Sequence, residues 1–174
     1  MKLIIQIPCL NEAETLGVTL SQLPRSVDGF DTVEWLVVDD GSKDSTIEVA
    51  IQHQVDHIVR HKRHKGLARA FMSGLQECIR LGADVIVNTD ADNQYNADDI
   101  PRLVVPIIEN SADIVVGARP IEEIKHFSRA KKLLQKIGSW MVRQISFTDL
   151  PDTTSGFRAM TREAACRTMV FSEY

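Results

Sequence analysis

Short apolar runs at residues 3–7, 33–38, 57–60, 84–89 and 112–116 alternate with longer stretches whose apolar positions recur at helical spacing, at 13–23, 45–54, 67–81, 98–109, 127–145 and 162–169. The short runs read as strands and the long ones as amphipathic helices. Strand and helix alternating at this spacing predict βαβ units, hence an α/β fold with a mostly parallel sheet flanked by helices. Such sheets bind ligands beyond the carboxyl ends of their strands, so the polar residues that follow each strand are where chemistry is expected.

Three of those loops carry it. After the first strand comes Pro8-Cys9-Leu10-Asn11-Glu12-Ala13-Glu14, in which Asn11 suits a helix N-cap and Glu12 and Glu14 suit a first helical turn. After the second comes Asp39-Asp40-Gly41-Ser42. A turn and its cap need one carboxylate, which leaves the other to accept hydrogen bonds from a ligand, such as base N–H groups or ribose hydroxyls. After the fourth comes Asp90-Ala91-Asp92-Asn93-Gln94. Side chains at i and i+2 of an extended segment point the same way, so Asp90 and Asp92 can converge on one hard divalent cation, with the Gln94 amide oxygen as a further ligand. A lone pair of aspartates at this spacing is common by chance. Its place at the same predicted sheet edge as the other two loops is what gives it weight.

Composition narrows the field. The chain has 174 residues with 44% hydrophobic and 25% charged positions, the balance of one globular domain. A net charge of -4 is wrong for a dedicated nucleic-acid binder. The run Arg60-His61-Lys62-Arg63-His64-Lys65 lacks interleaved aromatics and reads as a phosphate-facing loop or a solvated turn. Cys9, Cys78 and Cys166 form no paired motif and are expected to be buried free thiols of a reducing, cytoplasmic compartment. No stretch approaches the ~20 apolar residues of a membrane span. The chain ends just past a predicted helix without a polar tail, so a missing C-terminal part is expected.

One segment departs from the acidic balance. Residues 119–143 carry seven Lys/Arg against Glu122 and Glu123. On a helical wheel of about 100° per residue, Lys125, Arg129, Lys132, Lys136 and Arg143 share an arc of roughly 60°, apart from Ala130, Leu133, Leu134, Ile137, Trp140 and Met141. An ordinary surface helix has two such faces. The one-sided basic arc also suits peripheral contact with an anionic membrane, or a lipid-phosphate acceptor.

The ordered set of segments Ile7-Pro8-Cys9-Leu10-Asn11-Glu12-Ala13-Glu14, Val38-Asp39-Asp40-Gly41-Ser42-Lys43-Asp44-Ser45-Thr46, Thr89-Asp90-Ala91-Asp92-Asn93-Gln94 and Asp152-Thr153-Thr154-Ser155-Gly156-Phe157-Arg158-Ala159 resembles glycosyltransferase family 2, of the GT-A fold, and within it the dolichyl- and polyprenyl-phosphate sugar synthases. Lys65-Gly66-Leu67-Ala68-Arg69-Ala70 and Val116-Gly117-Ala118-Arg119 also fit. Cys9-Leu10 stands where the family has a tyrosine before Asn-Glu. The resemblance implies one GT-A domain over 1–174, with a nucleotide-binding half at about 1–95 and an acceptor-side half at about 96–174. It implies Pro8, Leu10, Asn11, Glu12, Asp39, Asp40, Lys65, Gly66, Asp90 and Ala91 around the nucleotide, and Asp90, Asp92 and Gln94 on a Mg²⁺ or Mn²⁺ that bridges the diphosphate. It implies Asp152 as base or acceptor-positioning group, with Arg119 and Arg158 as further catalytic candidates. Arg158 either faces a phosphate or pairs structurally with a carboxylate.

The implied activity is metal-dependent, inverting transfer of a sugar from a UDP- or GDP-linked donor to a polyprenyl phosphate at the cytoplasmic face of a membrane. The alternatives are transfer to a saccharide hydroxyl and a catalytically silent nucleotide-binding module of the same fold. A nucleotidyltransferase would carry a Gly-rich basic loop where this chain has Pro8-Cys9-Leu10-Asn11-Glu12.

Overall fold

A computed structural model describes residues 1–118 and 155–168. The elements are β1 (Lys2–Cys9), α1 (Leu16–Gln22), β2 (Thr32–Asp39), α2 (Thr46–Gln52), β3 (His57–Arg60), α3 (Leu67–Arg80), β4 (Val85–Asn88), α4 (Ile100–Ile108), β5 (Ile114–Val116), β6 (Arg158–Thr161) and α5 (Arg162–Arg167). The expected basic helix at 127–145 lies outside the described residues.

One sheet runs in the order β3-β2-β1-β4-β6-β5. β1 pairs in parallel with β2 and β4, and β2 with β3, whereas β6 is antiparallel to both β4 and β5. β6 is a strand that the apolar pattern does not predict. Its reversed direction has a consequence for the site. The residues that lead into it, Ser155-Gly156-Phe157, reach the edge where the parallel strands end, because Arg158 pairs with Asn88 at the end of β4.

The core has two layers because strand side chains alternate between faces. Leu3, Ile5, Ile7, Val85, Val87 and Ala159 pack with Leu16 and Leu20 of α1, Ala50 of α2 and Leu103 and Val104 of α4. Ile4, Ile86 and Met160 pack on the other face with Ala70, Leu75 and Cys78 of α3 and Ala165 of α5. Burial of each such large aliphatic side chain stabilises the fold by about 1.5–3 kcal/mol. Within the second layer, the Gln6 amide donates to Asn88 at 2.9 Å, and Asn88 donates to the Gly156 carbonyl at 2.8 Å. This buried ladder ties β1, β4 and the entry to β6 together beneath α3.

Two local expectations are corrected. Asn11 is no N-cap: α1 begins at Leu16 after Thr15, and Asn11 adopts a left-handed φ of 56°. Its side chain instead accepts a hydrogen bond from the Lys43 amide, 2.9 Å away. Cys9 and Cys78 are buried as expected, but Cys166 is exposed because it lies on the outward side of the short α5.

Candidate functional site

The β1–α1 and β2–α2 loops are stitched into one platform. The Asn11 amide donates to Ser42 Oγ (2.8 Å), the Glu12 amide to Thr46 Oγ1 (2.9 Å) and the Ala13 amide to Asp44 Oδ2 (3.1 Å), alongside the Lys43-to-Asn11 bond. Backbone N–H groups of the first loop thus find partners on the neighbouring loop. Asp39, fully buried, closes its own turn by accepting from the Ser42 amide at 2.9 Å and stands 3.3 Å from Arg60 Nε. Gly41 is required here twice over. Its φ is 85°, and a β-carbon would sit 2.8 Å from the backbone of Arg63 and His64.

Asp40 holds the loop after β3 in place. It is 3% exposed. Its Oδ1 accepts from the His61 ring at 2.6 Å and from the Lys65 amide at 3.0 Å, and its Oδ2 from the Gly66 amide at 2.8 Å. His64 Nδ1 lies 2.8 Å from the same Oδ2. The sequence shows no structural partner for Asp40. The structure supplies several, because β2 and β3 are adjacent and parallel and bring residues more than twenty positions apart to one edge. Burial pushes the Asp40 carboxyl up, but the hydrogen bonds from His61, Lys65 and Gly66 outweigh it and hold the group below the usual carboxylate range.

Beyond the strand ends lies a cavity of about 250 Å³ lined by Pro8, Cys9, Leu10, Glu12, Asp40, His64, Leu67, Ala70, Asp90, Ala91 and Asp92. Of the expected nucleotide residues, Pro8, Leu10, Glu12, Asp40, Asp90 and Ala91 line it together, while Asn11, Asp39, Lys65 and Gly66 do not line it and make the loop contacts above. Cys9, His64, Leu67 and Ala70 are wall residues that sequence reasoning missed. The available signal was that the loop after the third strand must reach the same edge as the other parallel strands' loops. The Cys9 thiol is pushed far up by burial, then by the charges of Glu12, Asp39, Asp44 and Asp90, and it donates to the Ile7 carbonyl.

Asp90 and Asp92 do face the same cavity, though not by strand alternation. β4 ends at Asn88 and residues 91–92 form a turn, in which the Ala91 carbonyl accepts from Thr19 Oγ1 at 2.8 Å and Asp92 Oδ1 from the Gln94 amide at 3.2 Å. Gln94 lines a neighbouring cavity of about 460 Å³, with Tyr95, Asn96, Asp99, Arg102 and Phe157 among its walls. The Tyr95 hydroxyl accepts from the Gly156 amide at 2.9 Å, and the Tyr95 and Phe157 rings stack with centroids 5.1 Å apart. Arg158 donates to the Ser155 carbonyl and places its guanidinium 5.9 Å from the Phe71 ring, on the α3 side of the sheet. Asp152, Arg119, Lys125, Arg129, Lys132, Lys136 and Arg143 lie outside the described residues.

The family model described as glycosyl transferase family 2 matches residues 4–167. Among curated proteins, the chain is similar to UDP-N-acetylglucosamine--dolichyl-phosphate N-acetylglucosaminyltransferase of Methanococcus voltae, 30% identical over 91% of this chain and 68% of that protein. It is 32% identical to undecaprenyl-phosphate mannosyltransferase of Micrococcus luteus, over 91% of this chain and 66% of the relative. It is 33% identical to dolichol-phosphate mannosyltransferase of Pyrococcus furiosus, over 94% of this chain and 47% of the relative. The chain thus spans between 47% and 68% of the length of these relatives. Among solved structures, glucosyl-3-phosphoglycerate synthase from Mycobacterium tuberculosis, in complex with Mn²⁺, UDP and glucosyl-3-phosphoglycerate, superposes with a TM-score of 0.71 at 22% identity, covering 93% of this chain and 57% of that one. That likeness establishes a shared fold.

Proposed function

The chain belongs to glycosyl transferase family 2, and from that premise we propose that it transfers a sugar from a nucleoside-diphosphate sugar to a polyprenyl phosphate. The observation that carries the reading is the convergence of Glu12, Asp40, Asp90 and Asp92, from three separate strand-end loops, on one cavity. The names of the three curated relatives, each a transferase of sugar to a polyprenol-type phosphate, support the acceptor class.

The donor set fits a divalent cation. Asp90 and Asp92 offer hard carboxylate oxygens, and the described residues hold no cluster of three or more potential ligands. Mg²⁺-type sites use one or two carboxylates and complete their shell with water and substrate phosphates, so a site that forms only with the diphosphate is the expected design. Asp90 and Asp92 would hold the cation, with Gln94 an expected further ligand, and it would neutralise charge on the departing diphosphate. Pro8, Leu10 and Leu67 supply the apolar walls for the nucleoside, while Asp40 offers an acceptor for its N–H or O–H groups.

Binding both substrates in one cleft makes the encounter effectively intramolecular. A phosphate acceptor is already anionic, so Asp152 orients it rather than deprotonating it, and single displacement inverts the anomeric centre. Residues 1–95 form the nucleotide side and 96–174 the acceptor side in this reading. Incubating the protein with a panel of UDP- and GDP-sugars, undecaprenyl phosphate and Mg²⁺ or Mn²⁺ tests it. A lipid-linked sugar, absent with chelator, is the expected product. Its absence with every donor, or its formation at equal rate without metal, overturns the reading or its metal component.

A further inference from the structure

The environment of Asp40 leaves little room for a ligand. A carboxylate has about four lone-pair directions. Three are taken by firmly held donors: the His61 ring, the Lys65 amide and the Gly66 amide. His61 is fixed from both ends, since its Nε2 stands 2.9 Å from Ser73 Oγ and its side chain is 5% exposed. The two amides precede the first turn of α3, and Gly66 holds a φ of 94°. His64 Nδ1 stands 2.8 Å from Oδ2, the oxygen that accepts from Gly66.

His64 differs from the other three. Its side chain is 61% exposed, it stands on the wall of the nucleotide cavity, and its ring nitrogen comes within 2.8 Å of Asp40 without joining the hydrogen-bonded frame. Its backbone passes close to Gly41, where a β-carbon would sit 2.8 Å from His64 N. A ligand N–H that seeks Asp40 must come from the cavity, where the His64 ring already stands 2.8 Å from Oδ2.

We propose that the His64 imidazole occupies the ligand position on Asp40 in the empty cleft, and that a nucleoside diphosphate binds by exchanging this ring for an N–H of its base. The exchange replaces a close ring contact with a ligand hydrogen bond on the same side of the carboxylate. Asp40 never stands buried with an open acceptor, which would cost the desolvation of a charged group. His64 thus tunes nucleotide affinity by competition, without contributing to the frame that positions Asp40. The proposal rests on the reading of this cavity as the nucleotide site.

The test is calorimetric titration of UDP and of GDP, each with Mg²⁺ and with Mn²⁺, into the parent protein, His64→Ala and Asp40→Asn. His64→Ala is expected to bind the preferred diphosphate about 3- to 10-fold more tightly than the parent, and Asp40→Asn more weakly. In the parent, ¹⁵N-histidine spectra should show the His64 ring resonances moving at saturation while those of His61 stay. This second measurement needs no variant. Equal or weaker binding by His64→Ala, or an unmoved His64 resonance in a parent that binds, overturns the exchange and leaves the nucleotide site standing. Failure of the parent to bind either diphosphate under any condition removes the nucleotide reading and the exchange with it.

Discussion

Gly156 lies directly against the carboxylate of Asp90: a β-carbon there would sit 2.8 Å from Oδ1 and 2.9 Å from Oδ2. The glycine cannot retreat, because its amide donates to Tyr95 and its carbonyl accepts from Asn88. Asp90 must therefore yield in Gly156→Ala. The expected result is metal-dependent nucleotide binding weaker by about tenfold, ~1.4 kcal/mol, with an unchanged circular dichroism spectrum. Wild-type affinity in the variant would show that the position of Asp90 is immaterial to binding.

Asp92 is exposed, and among the described residues its side chain accepts within its own turn, from the Gln94 amide. Surface substitutions of this kind shift stability by within about 0.5 kcal/mol. Asp92→Ala should keep the fold and lose the difference in nucleoside diphosphate affinity between Mg²⁺ or Mn²⁺ and chelator. Calorimetry with and without metal decides it, and a metal effect retained in full would take Asp92 out of the metal site.

Asp40 links the fold to pH. Its carboxyl titrates below the ordinary value in the folded protein, so its contribution is fully present above the unfolded value of about 3.9 and is lost as pH falls through the folded one. Asp40→Asn should be less stable than the parent by about 1–3 kcal/mol at neutral pH, the scale for hydrogen bonds to a charged group. That gap should close below about pH 4. Urea unfolding from pH 7 down to pH 3 measures it; a gap that is constant with pH would mean that the ionised form is not what the loop depends on.

The basic arc of Lys125, Arg129, Lys132, Lys136 and Arg143 is read from sequence periodicity. Attraction to an anionic bilayer is worth about 1 kcal/mol per basic residue near its surface and is screened by salt. Reversing Lys125, Arg129 and Lys132 to glutamate should abolish most low-salt binding to anionic vesicles and leave nucleotide affinity intact. Sedimentation that matches the parent would reduce the arc to a solvated face.

The order of strands and helices through β5, and the three loops that meet at the cavity, are legible in the chain because each depends on local pattern. A parallel strand needs only its own apolar run to be recognised, and its direction then fixes which end carries the site. Local pattern alone therefore places Pro8, Asp40 and Asp90 at that edge. Contacts between distant segments are not written locally. β6 is a four-residue strand, Arg158–Thr161, that exists by pairing with β4 and β5 on either side. The expected helix N-cap Asn11 proves to be a clamp on Lys43, thirty-two positions away. His61 and His64 look like part of a charged run until the β2–β3 pairing sets them against Asp40. The sequence by itself determined which edge of the sheet carries the chemistry, because strand polarity is a one-dimensional property. Which groups saturate Asp40 and which confine Asp90 was decided only by tertiary structure, because hydrogen-bond partners and steric limits arise from neighbours in space.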